Sequence, residues 1–354
     1  MTDTIDTTEA QLMEFVGKAV TDVGAVLNGS MVVLGDRLGL YRAMAGSDAL
    51  TAADLAGRTG THERYVREWL SAQAAAGYVT YEGDGRYRLP AEAAIALTDE
   101  SSPACVVGAF ELAVASLAAT DRITEAFRTG AGMPWGEHHR DVHEGGRAVL
   151  PARPQRHLVT TWLPALDGVV DRLTLGAAVA DIGCGHGAST LAMAEAFPAS
   201  TFVGFDVHPA SIDAARHRAT DAGLTDRVRF EVSASKDVTG RYDLVCFFDC
   251  LHDMGDPAGA LAHVRSILAD DGTVLLVEPM AGDAVDDNLN PVGAAYYAFS
   301  TLLCTPNSLS QEVGTALGAQ AGEARLREVA TDAGFGRVCR VAETPFNLVL
   351  EVRP

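Results

Sequence analysis

An α/β fold with a mostly parallel sheet is predicted for the second half of this sequence, and a mostly helical domain for its first hundred residues. Two patterns lead to this prediction. From about residue 177 onward, short apolar runs alternate with helix-length segments, which is typical of βαβ units with right-handed crossovers. Residues 51–90 instead give the order helix, turn, helix and hairpin, which is the order of elements in a winged helix.

The caps and the hairpin turn define the winged-helix region. Thr51 and Thr61 precede its two helices, and their hydroxyls can accept hydrogen bonds from the free amides of a first turn. Gly83 and Gly85 flank Asp84 between two alternating runs, which indicates a tight hairpin. The second helix, "HERYVREWLSAQ", mixes arginine with glutamate and lacks the basic face that a DNA-reading helix needs. The region is therefore predicted to serve dimerisation and to line a substrate site.

The composition narrows the class of protein. A hydrophobic content of 48% indicates a globular chain, and no apolar run reaches the roughly 18 residues that a membrane span needs. The acidic start "MTDTIDTTEAQ" is the opposite of a secretory signal, and six scattered cysteines without a CxxC pair fit free thiols in a reducing compartment. A formal charge of −20 argues against a nucleic-acid ligand. We expect a cytoplasmic protein that acts on a small molecule, with neither a membrane nor a nucleic acid as partner.

Three regions are expected along the chain. Residues 1–100 form the winged-helix and dimerisation domain, residues 101–175 a helical linker that contributes to the substrate pocket, and residues 176–354 the α/β domain. Within the last region, residues 281–320 are a long insertion that follows a predicted strand. Because ligands of open α/β sheets bind beyond the carboxyl ends of the strands, this insertion is predicted to form a lid over the binding edge.

The first predicted strand of the α/β domain ends in the glycine turn "VADIGCGHGAST". A dinucleotide fingerprint has the spacing G-x-G-x-x-G, whereas Gly183, Gly185 and Gly187 place the third glycine one residue early. Asp181 precedes the turn, where a carboxylate would repel a diphosphate but would suit an ammonium group. The turn therefore favours a ligand with an amino-acid end and no phosphate, and Gly183 and Gly185 allow its close approach to the backbone.

The next predicted strand ends in "GFDVHP", which places Asp206 21 residues after Gly185. A carboxylate at this strand end can accept hydrogen bonds from both hydroxyls of a ribose, as it does in NAD enzymes. Val207 would then flank an adenine. S-adenosylmethionine meets these requirements, because it has an adenosine, an ammonium group and a sulfonium but no phosphate. It is the predicted cofactor.

These motifs carry a resemblance to a known family. From about Ala177 to Pro354 the chain resembles the class I S-adenosylmethionine-dependent methyltransferases, with "VADIGCGHG" as their first motif and "FVGFD" as their acidic second strand. The resemblance implies a Rossmann-like, mostly parallel seven-stranded sheet whose last strand, "FNLVLEV", runs antiparallel. Over its whole length the chain is similar to actinobacterial methyltransferases with an N-terminal winged helix. "LHDMGDP" followed by "VEP" also resembles small-molecule O-methyltransferases, which share a dimerising winged helix and use this histidine as a general base.

Two positions depart from these family patterns. The O-methyltransferase motif has tryptophan where this chain has Met254. Many class I enzymes carry an aspartate near the end of the third strand that contacts the adenine amine, and "FEVSASKD" places Ala234 at about that position. The alternatives for this contact are Ser233, Ser235, backbone groups or an alignment shifted by one residue. Ser233 and Ala234 are therefore candidate cofactor contacts.

The apolar run "YDLVCFFD" predicts a fourth strand, and the residues after it emerge near the sulfonium. His252 is the best candidate for a general base, on its position and on the ordinary pKa of histidine. Glu278 ends the following strand and is a candidate orienting group, while Asp249 is a candidate cofactor contact. A purely structural contact is the open alternative for both His252 and Glu278. The next helix is expected to be capped by Asp253 and Asp256.

The acceptor pocket is predicted between the lid and the stretch "GMPWGEHH", with a dimer contact as the alternative for the lid. His139 and His143 are spaced like some zinc ligands. No third ligand follows at a useful spacing and flanking glycines weaken the helix, so no metal site is predicted. The predicted pocket residues are Trp135, His139, Tyr296 and Tyr297.

The leading hypothesis is transfer of a methyl group from S-adenosylmethionine to oxygen, nitrogen or carbon of a small organic molecule, by a homodimer. Two alternatives stay open. A winged-helix regulator would bind DNA and use S-adenosylmethionine as an effector, which the negative charge of the chain opposes. An enzyme of another class would use the bound cofactor only for its electrostatics, in a rearrangement.

Overall fold

The computed structural model describes residues 7–100, 102, 104–143 and 157–354. The stretch that begins with "GMPWGEHH" is therefore described only as far as His143. The chain divides into two compact units, Met1–Val114 and Ala115–Pro354. The three-part division at residues 100 and 175 stays a prediction.

The first unit is mostly helical. Its first helix begins with a capping box, in which the Thr8 hydroxyl and the Gln11 side chain each accept a backbone amide of the other residue. A small antiparallel sheet has the strand order β1-β3-β2. The elements are α1 (Glu9–Arg37), α2 (Leu40–Met44), β1 (Leu50–Thr51), α3 (Ala52–Thr59), α4 (Glu63–Ala75), β2 (Thr80–Gly83), β3 (Arg86–Arg88), α5 (Ala91–Thr98) and α6 (Val107–Ser116).

The helices α3 and α4 and the hairpin β2–β3 confirm the predicted order of the winged helix. Thr51 caps α3 as predicted, since its hydroxyl accepts the Asp54 amide at 3.1 Å and its amide donates to the Asp54 carboxylate at 3.0 Å. The cap predicted at Thr61 is wrong by one residue. His62 caps α4 instead, because its Nδ1 accepts a first-turn amide at 3.3 Å. The Thr61 hydroxyl shares a hydrogen bond with that of Thr59 at the end of α3.

Among the residues that the structure describes, no helix is both long enough and apolar enough to cross a membrane.

The first helix, α1, leaves a row of large apolar side chains exposed. An exposed apolar row on a helix of this kind marks a surface that another protein surface can cover. The exposed side chains are Leu12, Met13, Phe15, Val16, Val20, Val23, Val26, Leu27 and Leu34.

The second unit is built on a seven-stranded sheet with the order β6-β5-β4-β7-β8-β10-β9. The five neighbouring strands β6, β5, β4, β7 and β8 pair in parallel, and β10 is antiparallel to both β8 and β9. This is the sheet that the class I resemblance implies, including the antiparallel last strand. The strands are β4 (Ala178–Ile182), β5 (Thr201–Asp206), β6 (Val228–Val232), β7 (Tyr242–Phe248), β8 (Leu268–Pro279), β9 (Arg337–Glu343) and β10 (Asn347–Arg353).

Helices cover both faces of this sheet, and its central strands are therefore buried on both sides. This two-sided burial explains why these strands appear in the sequence as continuous apolar runs. The predicted lid, 281–320, contains α13 (Pro291–Phe299), a π-helical turn at Ser300–Cys304 and α14 (Thr305–Leu309). A second π-helical turn, Leu158–Trp162, precedes α8 (Leu163–Ala165). The helices are α7 (Thr120–Thr129), α8 (Leu163–Ala165), α9 (Val169–Leu175), α10 (Ala188–Ala196), α11 (Pro209–Asp221), α12 (Pro257–Ile267), α13 (Pro291–Phe299), α14 (Thr305–Leu309) and α15 (Gly322–Asp332).

Replacing the cap residue of α3 should destabilise the first unit. Thr51→Ala is expected to lower its free energy of unfolding by about 1 kcal/mol, because the Asp54 amide loses its acceptor. Urea unfolding followed by circular dichroism measures the change. Thr21→Ala is the matched control, since that hydroxyl bonds only the Gly17 carbonyl of its own helix. Equal effects of the two substitutions would contradict the capping role.

Candidate functional site

The turn after β4 carries the three glycines of the first motif. Gly183, Gly185 and Gly187 have φ values of 70°, 52° and 76°, a region that residues with a side chain rarely adopt. The amides of Gly183 and Cys184 both donate to the Phe205 carbonyl on β5, at 2.8 and 3.0 Å. These two hydrogen bonds hold the turn against the neighbouring strand.

The three glycines have different surroundings. A Cβ atom added at Gly183 would lie 2.7 Å from Cys250 Sγ, and one added at Gly187 would lie 2.5 Å from the Phe230 ring. A Cβ atom added at Gly185 would meet no atom within 4 Å. Gly183 and Gly187 are thus required by packing inside the domain, whereas Gly185 borders open space and leaves room for a ligand.

Asp181, near the end of β4, is buried with only one carboxylate oxygen satisfied. Its Oδ2 accepts hydrogen bonds from the Ser189 and Thr190 hydroxyls of α10, each at 2.6 Å. Its Oδ1 has no hydrogen-bond partner within the described part of the chain. Burial raises the pKa of this carboxyl to about 6. An unsatisfied buried oxygen beside the turn is suited to a cationic donor or to a bridging water.

Asp206 ends β5, and the backbone fixes its carboxylate. Oδ2 accepts the Gly185 amide at 2.9 Å, and Oδ1 accepts the His208 amide at 2.8 Å. Each oxygen keeps a second acceptor position. Burial raises the pKa of Asp206 in spite of these bonds. The next residue, Val207, is 61% exposed, so an apolar side chain stands free beside the carboxylate.

Asp181 and Asp206 form an acidic pair around the turn. The charge of Asp206 adds to burial in raising the pKa of Asp181, and among the described residues no lysine or arginine is one of the main groups that shift either pKa. A ligand with phosphates would be repelled here. The residues fit S-adenosylmethionine, since Asp206 has free positions for ribose hydroxyls, Asp181 has a free oxygen for the ammonium end and Gly185 leaves space.

The end of β6 lies beside the same carboxylate. The Ser233 amide donates to the Asp206 carbonyl at 3.0 Å, and the Ser233 hydroxyl donates to the Ala234 carbonyl at 3.1 Å. Ala234 then begins a short 3₁₀ turn, Ser235–Asp237. Both candidate residues are therefore near Asp206, and their contact with adenine stays a prediction.

His252 lies in the turn after β7, in the 3₁₀ helix Leu251–Asp253. Glu278 on the neighbouring strand β8 holds this turn at two points. Its Oε1 accepts the Leu251 amide at 2.9 Å, and its Oε2 is paired with His252 Nδ1. Both side chains are buried, at 4% exposure for His252 and 2% for Glu278. The two residues predicted as base and orienting group are thus in direct contact.

Two carboxylates surround the His252 ring. Its Nε2 lies 3.3 Å from Asp253 Oδ1, on the side opposite Glu278. Burial lowers the pKa of His252, but the charges of Asp253 and Glu278 outweigh burial and hold this pKa well above its ordinary value. The two carboxylates thus favour the charged form of the ring.

Asp249 follows β7 in a left-handed conformation, with φ of 49°. Its amide donates to the Val277 carbonyl at 2.8 Å, and both its carboxylate oxygens lie 3.4 Å from the Asn347 side-chain nitrogen on β10. Burial, followed by the charge of Glu278, raises the pKa of Asp249 to about 7. A direct contact between Asp249 and the cofactor stays a prediction.

Asp253 has a different role from the predicted one. Only Asp256 caps α12, with its Oδ1 accepting the Gly259 amide at 2.8 Å. Asp253 lies four residues before the helix begins, too far to cap it, and contacts His252 and Cys304 instead. Cys304 was not among the predicted site residues. Burial, and then the charge of Asp253, raise the pKa of the Cys304 thiol to about 12.

The lid packs onto the turn that holds His252. The side-chain amides of Asn307 and Gln311 both donate to the Asp253 carbonyl, at 3.1 and 3.0 Å. The Asn307 Oδ1 accepts the Trp135 amide at 3.0 Å. Asn307 thus joins the lid, the His252 turn and the stretch "GMPWGEHH". The sequence gives no local signal for this residue, because its partners lie more than fifty positions away.

The predicted pocket residues are in different settings. Trp135 begins a 3₁₀ turn beside Asn307. The Tyr296 hydroxyl donates to the Phe346 carbonyl at 3.0 Å, and Tyr297 is 37% exposed. These contacts place Trp135 near the His252 turn, whereas for both tyrosines a place in the pocket stays a prediction.

The histidines of "GMPWGEHH" and its continuation do not share one environment. His139 is half-exposed, and its Nδ1 accepts the Asp141 amide at 3.2 Å. The His143 ring stacks on His208, with ring centres 4.4 Å apart, next to the Asp206 strand end. Burial, followed by His208 and other nearby histidines, lowers the pKa of His143 to about 4. The His143 ring is therefore neutral at pH 7.

Family models match both parts of the chain. A model described as a methyltransferase domain matches residues 180–274, which include the glycine turn and His252. A model described as an Rv2258c-like winged HTH domain matches residues 27–99. The chain therefore carries a methyltransferase domain, which implies S-adenosylmethionine as the cofactor, together with an N-terminal winged-helix domain. Both expectations are confirmed.

Curated relatives match the chain over short stretches. It is 31% identical over 97 residues to an uncharacterized protein of Synechococcus, which is 27% of this chain and 23% of the relative. It is 31% identical over 105 residues to the polyketide synthase ThaQ of Burkholderia thailandensis, which is 29% of this chain and 5% of the relative. The chain thus spans less than a quarter of the length of these curated relatives.

Solved structures resemble the chain over nearly its whole length. The mitomycin 7-O-methyltransferase MmcR has a TM-score of 0.71 at 20% identity, covering 98% of this chain and 100% of the other. An O-methyltransferase family protein from Burkholderia thailandensis has a TM-score of 0.67 at 22% identity, covering 98% of each. An O-methyltransferase from neocarzinostatin biosynthesis, in complex with S-adenosyl-L-homocysteine and 1,4-dihydroxy-2-naphthoic acid, has a TM-score of 0.64 at 20% identity, covering 95% and 98%. At these identities the likeness establishes the fold, which is the predicted class I methyltransferase fold.

The close approach of Gly183 to Cys250 can be tested by the stability of an alanine variant. Gly183→Ala and Gly223→Ala both put a side chain on a residue with positive φ, which costs about 1–2 kcal/mol. Only at Gly183 would the new Cβ meet another residue, so this variant should lose about 1–3 kcal/mol more in free energy of unfolding. Urea unfolding of both variants gives the difference. No difference would mean that Cys250 does not approach the turn.

Proposed function

We propose that the protein transfers a methyl group from S-adenosylmethionine to a small organic acceptor. The observation that supports this most directly is the contact between the glycine turn and the His252 turn. The strands β4 and β7 are neighbours in the sheet, and the Cys250 thiol donates to the Ile182 carbonyl at 3.1 Å. The acidic pair and the candidate base therefore lie at adjacent strand ends, where a methyl donor and its acceptor have to meet.

The proposed cofactor contacts surround the glycine turn. Asp206 would accept the ribose hydroxyls with its free lone pairs, because the Gly185 and His208 amides use only one position on each oxygen. Asp181 would hold the ammonium end through its unpaired Oδ1. Val207 would flank the adenine. Further proposed contacts are Gly183, Ser233, Ala234 and Asp249.

His252 is the proposed general base, with Glu278 as its orienting partner. Because Glu278 occupies Nδ1, the other ring nitrogen, Nε2, is the one that can take up the acceptor's proton. S-adenosylmethionine supplies an electrophilic methyl group on a sulfonium, whose positive charge opposes the protonated form of His252. Asp253 lies 3.3 Å from Nε2 and has to yield this position to the acceptor. A base so placed contributes roughly 10²–10⁴-fold to a rate.

A hydroxyl on a small organic molecule is the proposed acceptor group. Support comes from the fold shared with an O-methyltransferase that was crystallised with a dihydroxynaphthoic acid. Asn307 supports a pocket between the lid and Trp135, since it binds both the Trp135 amide and the Asp253 carbonyl. The proposed pocket walls are Trp135, His139, Tyr296 and Tyr297.

A cytoplasmic homodimer is the proposed assembly. The exposed apolar row on α1 supports dimerisation, because a second copy would remove it from water. All six cysteines are free, which fits a reducing compartment.

We propose that nucleic acid is not a partner of the winged-helix domain. On α4, Arg64 pairs with Glu68 at 2.6 Å, and Arg67 pairs with Glu63. Both arginines of α4 are thus paired with glutamates of their own helix, and the formal charge of the chain is −20. This arrangement supports an enzyme over a DNA-binding regulator.

Removing the Asp206 carboxylate should weaken cofactor binding. Asp206→Ala is expected to reduce the affinity for S-adenosylmethionine by about tenfold or more, because hydrogen bonds to a charged acceptor are each worth about 1.5–3 kcal/mol. Isothermal calorimetry measures the affinity. Asp213→Ala is the matched control, since Asp213 is an exposed carboxylate that pairs only with its own helix, at Arg216. Unchanged affinity in Asp206→Ala would reject the ribose contact.

Removing the base should affect turnover more than binding. His252→Gln is expected to cut turnover by about a hundredfold or more while the affinity for S-adenosylmethionine stays within about twofold. Transfer of a radiolabelled methyl group to acceptor mixtures measures the rate, and calorimetry measures the affinity. His217→Gln, an exposed histidine on α11, is the control. Near-wild-type turnover in His252→Gln would reject the role of base.

A further inference from the structure

Three potential metal ligands converge beside the lid. One ring nitrogen of His252, one carboxylate oxygen of Asp253 and the Cys304 sulfur all lie within 4.8 Å of one another. His252 Nε2 and Asp253 Oδ1 are 3.3 Å apart. Ligand atoms around a tetrahedral zinc ion are separated by about 3.5 Å, given metal–ligand bonds of about 2.0–2.3 Å. The distance between His252 and Asp253 is thus close to that in a metal site, and the Cys304 sulfur lies within 4.8 Å of both.

The surroundings of His252 match those of a metal-bound histidine. Such histidines bind the ion with one ring nitrogen and donate the other N–H to a carboxylate, which fixes the orientation of the ring. Here Glu278 is paired with Nδ1, which leaves Nε2 directed at Asp253. In the described residues, Asp253 Oδ1 is a buried atom without a hydrogen bond, and it faces His252 Nε2 at 3.3 Å. A cation between these atoms would satisfy it.

The charges around the cluster also favour a cation. The carboxylates of Asp253 and Glu278 both act on His252, and Asp249 lies close enough to feel both of them. No lysine or arginine forms an ion pair with these three carboxylates among the residues described. One imidazole therefore faces three acidic groups in a buried site.

We propose that His252, Asp253 and Cys304 form a binding site for a divalent cation of the zinc class, which takes His252 out of use as a base. Imidazole, carboxylate and thiolate together suit Zn²⁺, whereas Mg²⁺ and Ca²⁺ prefer oxygen ligands alone. On binding, the Cys304 thiol and the Nε2 position of His252 each give up a proton to solvent, and the sulfur and the nitrogen become ligands. The regulatory part of this proposal rests on the proposed function of His252, while the binding part does not.

Metal binding is tested by titrating the full-length protein with ZnCl₂ in a calorimeter. The wild type is expected to bind one equivalent, and Cys304→Ser to bind it at least about tenfold more weakly. Cys339→Ser is the matched control, because Cys339 is a free cysteine on β9 outside the cluster. Loss of binding in Cys339→Ser, or equal binding by wild type and Cys304→Ser, would overturn the proposal.

A second pair of variants covers the case in which Cys304→Ser does not fold. Asp253→Asn should weaken zinc binding in the same way, and Glu278→Gln should weaken it by about 10–100-fold through the orientation of His252. With Co²⁺ as a probe, the wild type and Cys339→Ser should show a sulfur-to-cobalt charge-transfer band, which should be absent in any Cys304 variant that folds. A band that persists in such a variant would contradict ligation by Cys304.

The stacked pair of His143 and His208 is a second group of potential zinc ligands, and a further variant distinguishes it from the proposed site. His143→Gln removes the ring that stacks on His208 and should leave zinc affinity unchanged. If His143→Gln abolishes binding while Asp253→Asn does not, the ion occupies the other cluster and the proposal is wrong.

The effect of zinc on the rate of methyl transfer is measured in a separate experiment. Zinc should inhibit methyl transfer by the wild type, and a chelator should restore it. Cys304→Ser should need at least about tenfold more zinc for half-inhibition, relative to its own metal-free rate. Zinc binding without any methyl transfer would reject the proposed function alone, and methyl transfer without zinc binding would reject this inference alone.

Discussion

The pairing of Glu278 with His252 is the interaction on which the arrangement of the site depends. It joins two buried groups from neighbouring parallel strands, and it exists because β7 and β8 pair in a register that sets Phe248 opposite Val277. A shift of one residue would turn the Glu278 side chain to the other face of the sheet. Loss of His252 would leave the buried Glu278 carboxylate without its ion-pair partner, at a cost of about 3–5 kcal/mol. The position of the histidine is therefore a property of the whole sheet rather than of one turn.

Five carboxylates lie at the carboxyl ends of the strands in this domain, and nearby positive groups do not fully compensate their charge. Asp181 and Asp206 stand at the glycine turn, and Asp249, Asp253 and Glu278 stand around His252. Burial raises the pKa of Asp181, Asp206, Asp249 and Asp253, which is the physical sign that their charges are not fully compensated. A cationic ligand completes this balance. S-adenosylmethionine, with its ammonium and sulfonium groups, meets that need without adding phosphate charge.

Much of this could be predicted from sequence, because the informative signals are local. The alternation of apolar runs and helices predicted the seven strands, and the glycine turn with Asp206 predicted one edge of the site. The errors arose where a contact depends on distant residues or on a single position. Asp253 was expected to cap a helix, whereas Cys304 and Asn307, some fifty residues later, draw it to the lid. The cap at His62 was missed because a histidine competes with the preceding threonine, and propensity favours the hydroxyl.

Cys250 connects the glycine turn after β4 with the His252 turn after β7, two segments that are far apart in the sequence. Its sulfur would lie 2.7 Å from a Cβ atom at Gly183, and its thiol donates to the strand that precedes that turn. The same residue is two positions from His252. A backbone shift in the glycine turn would therefore also move the segment that carries His252. Under the proposed function, substitutions in this turn change cofactor affinity and turnover together.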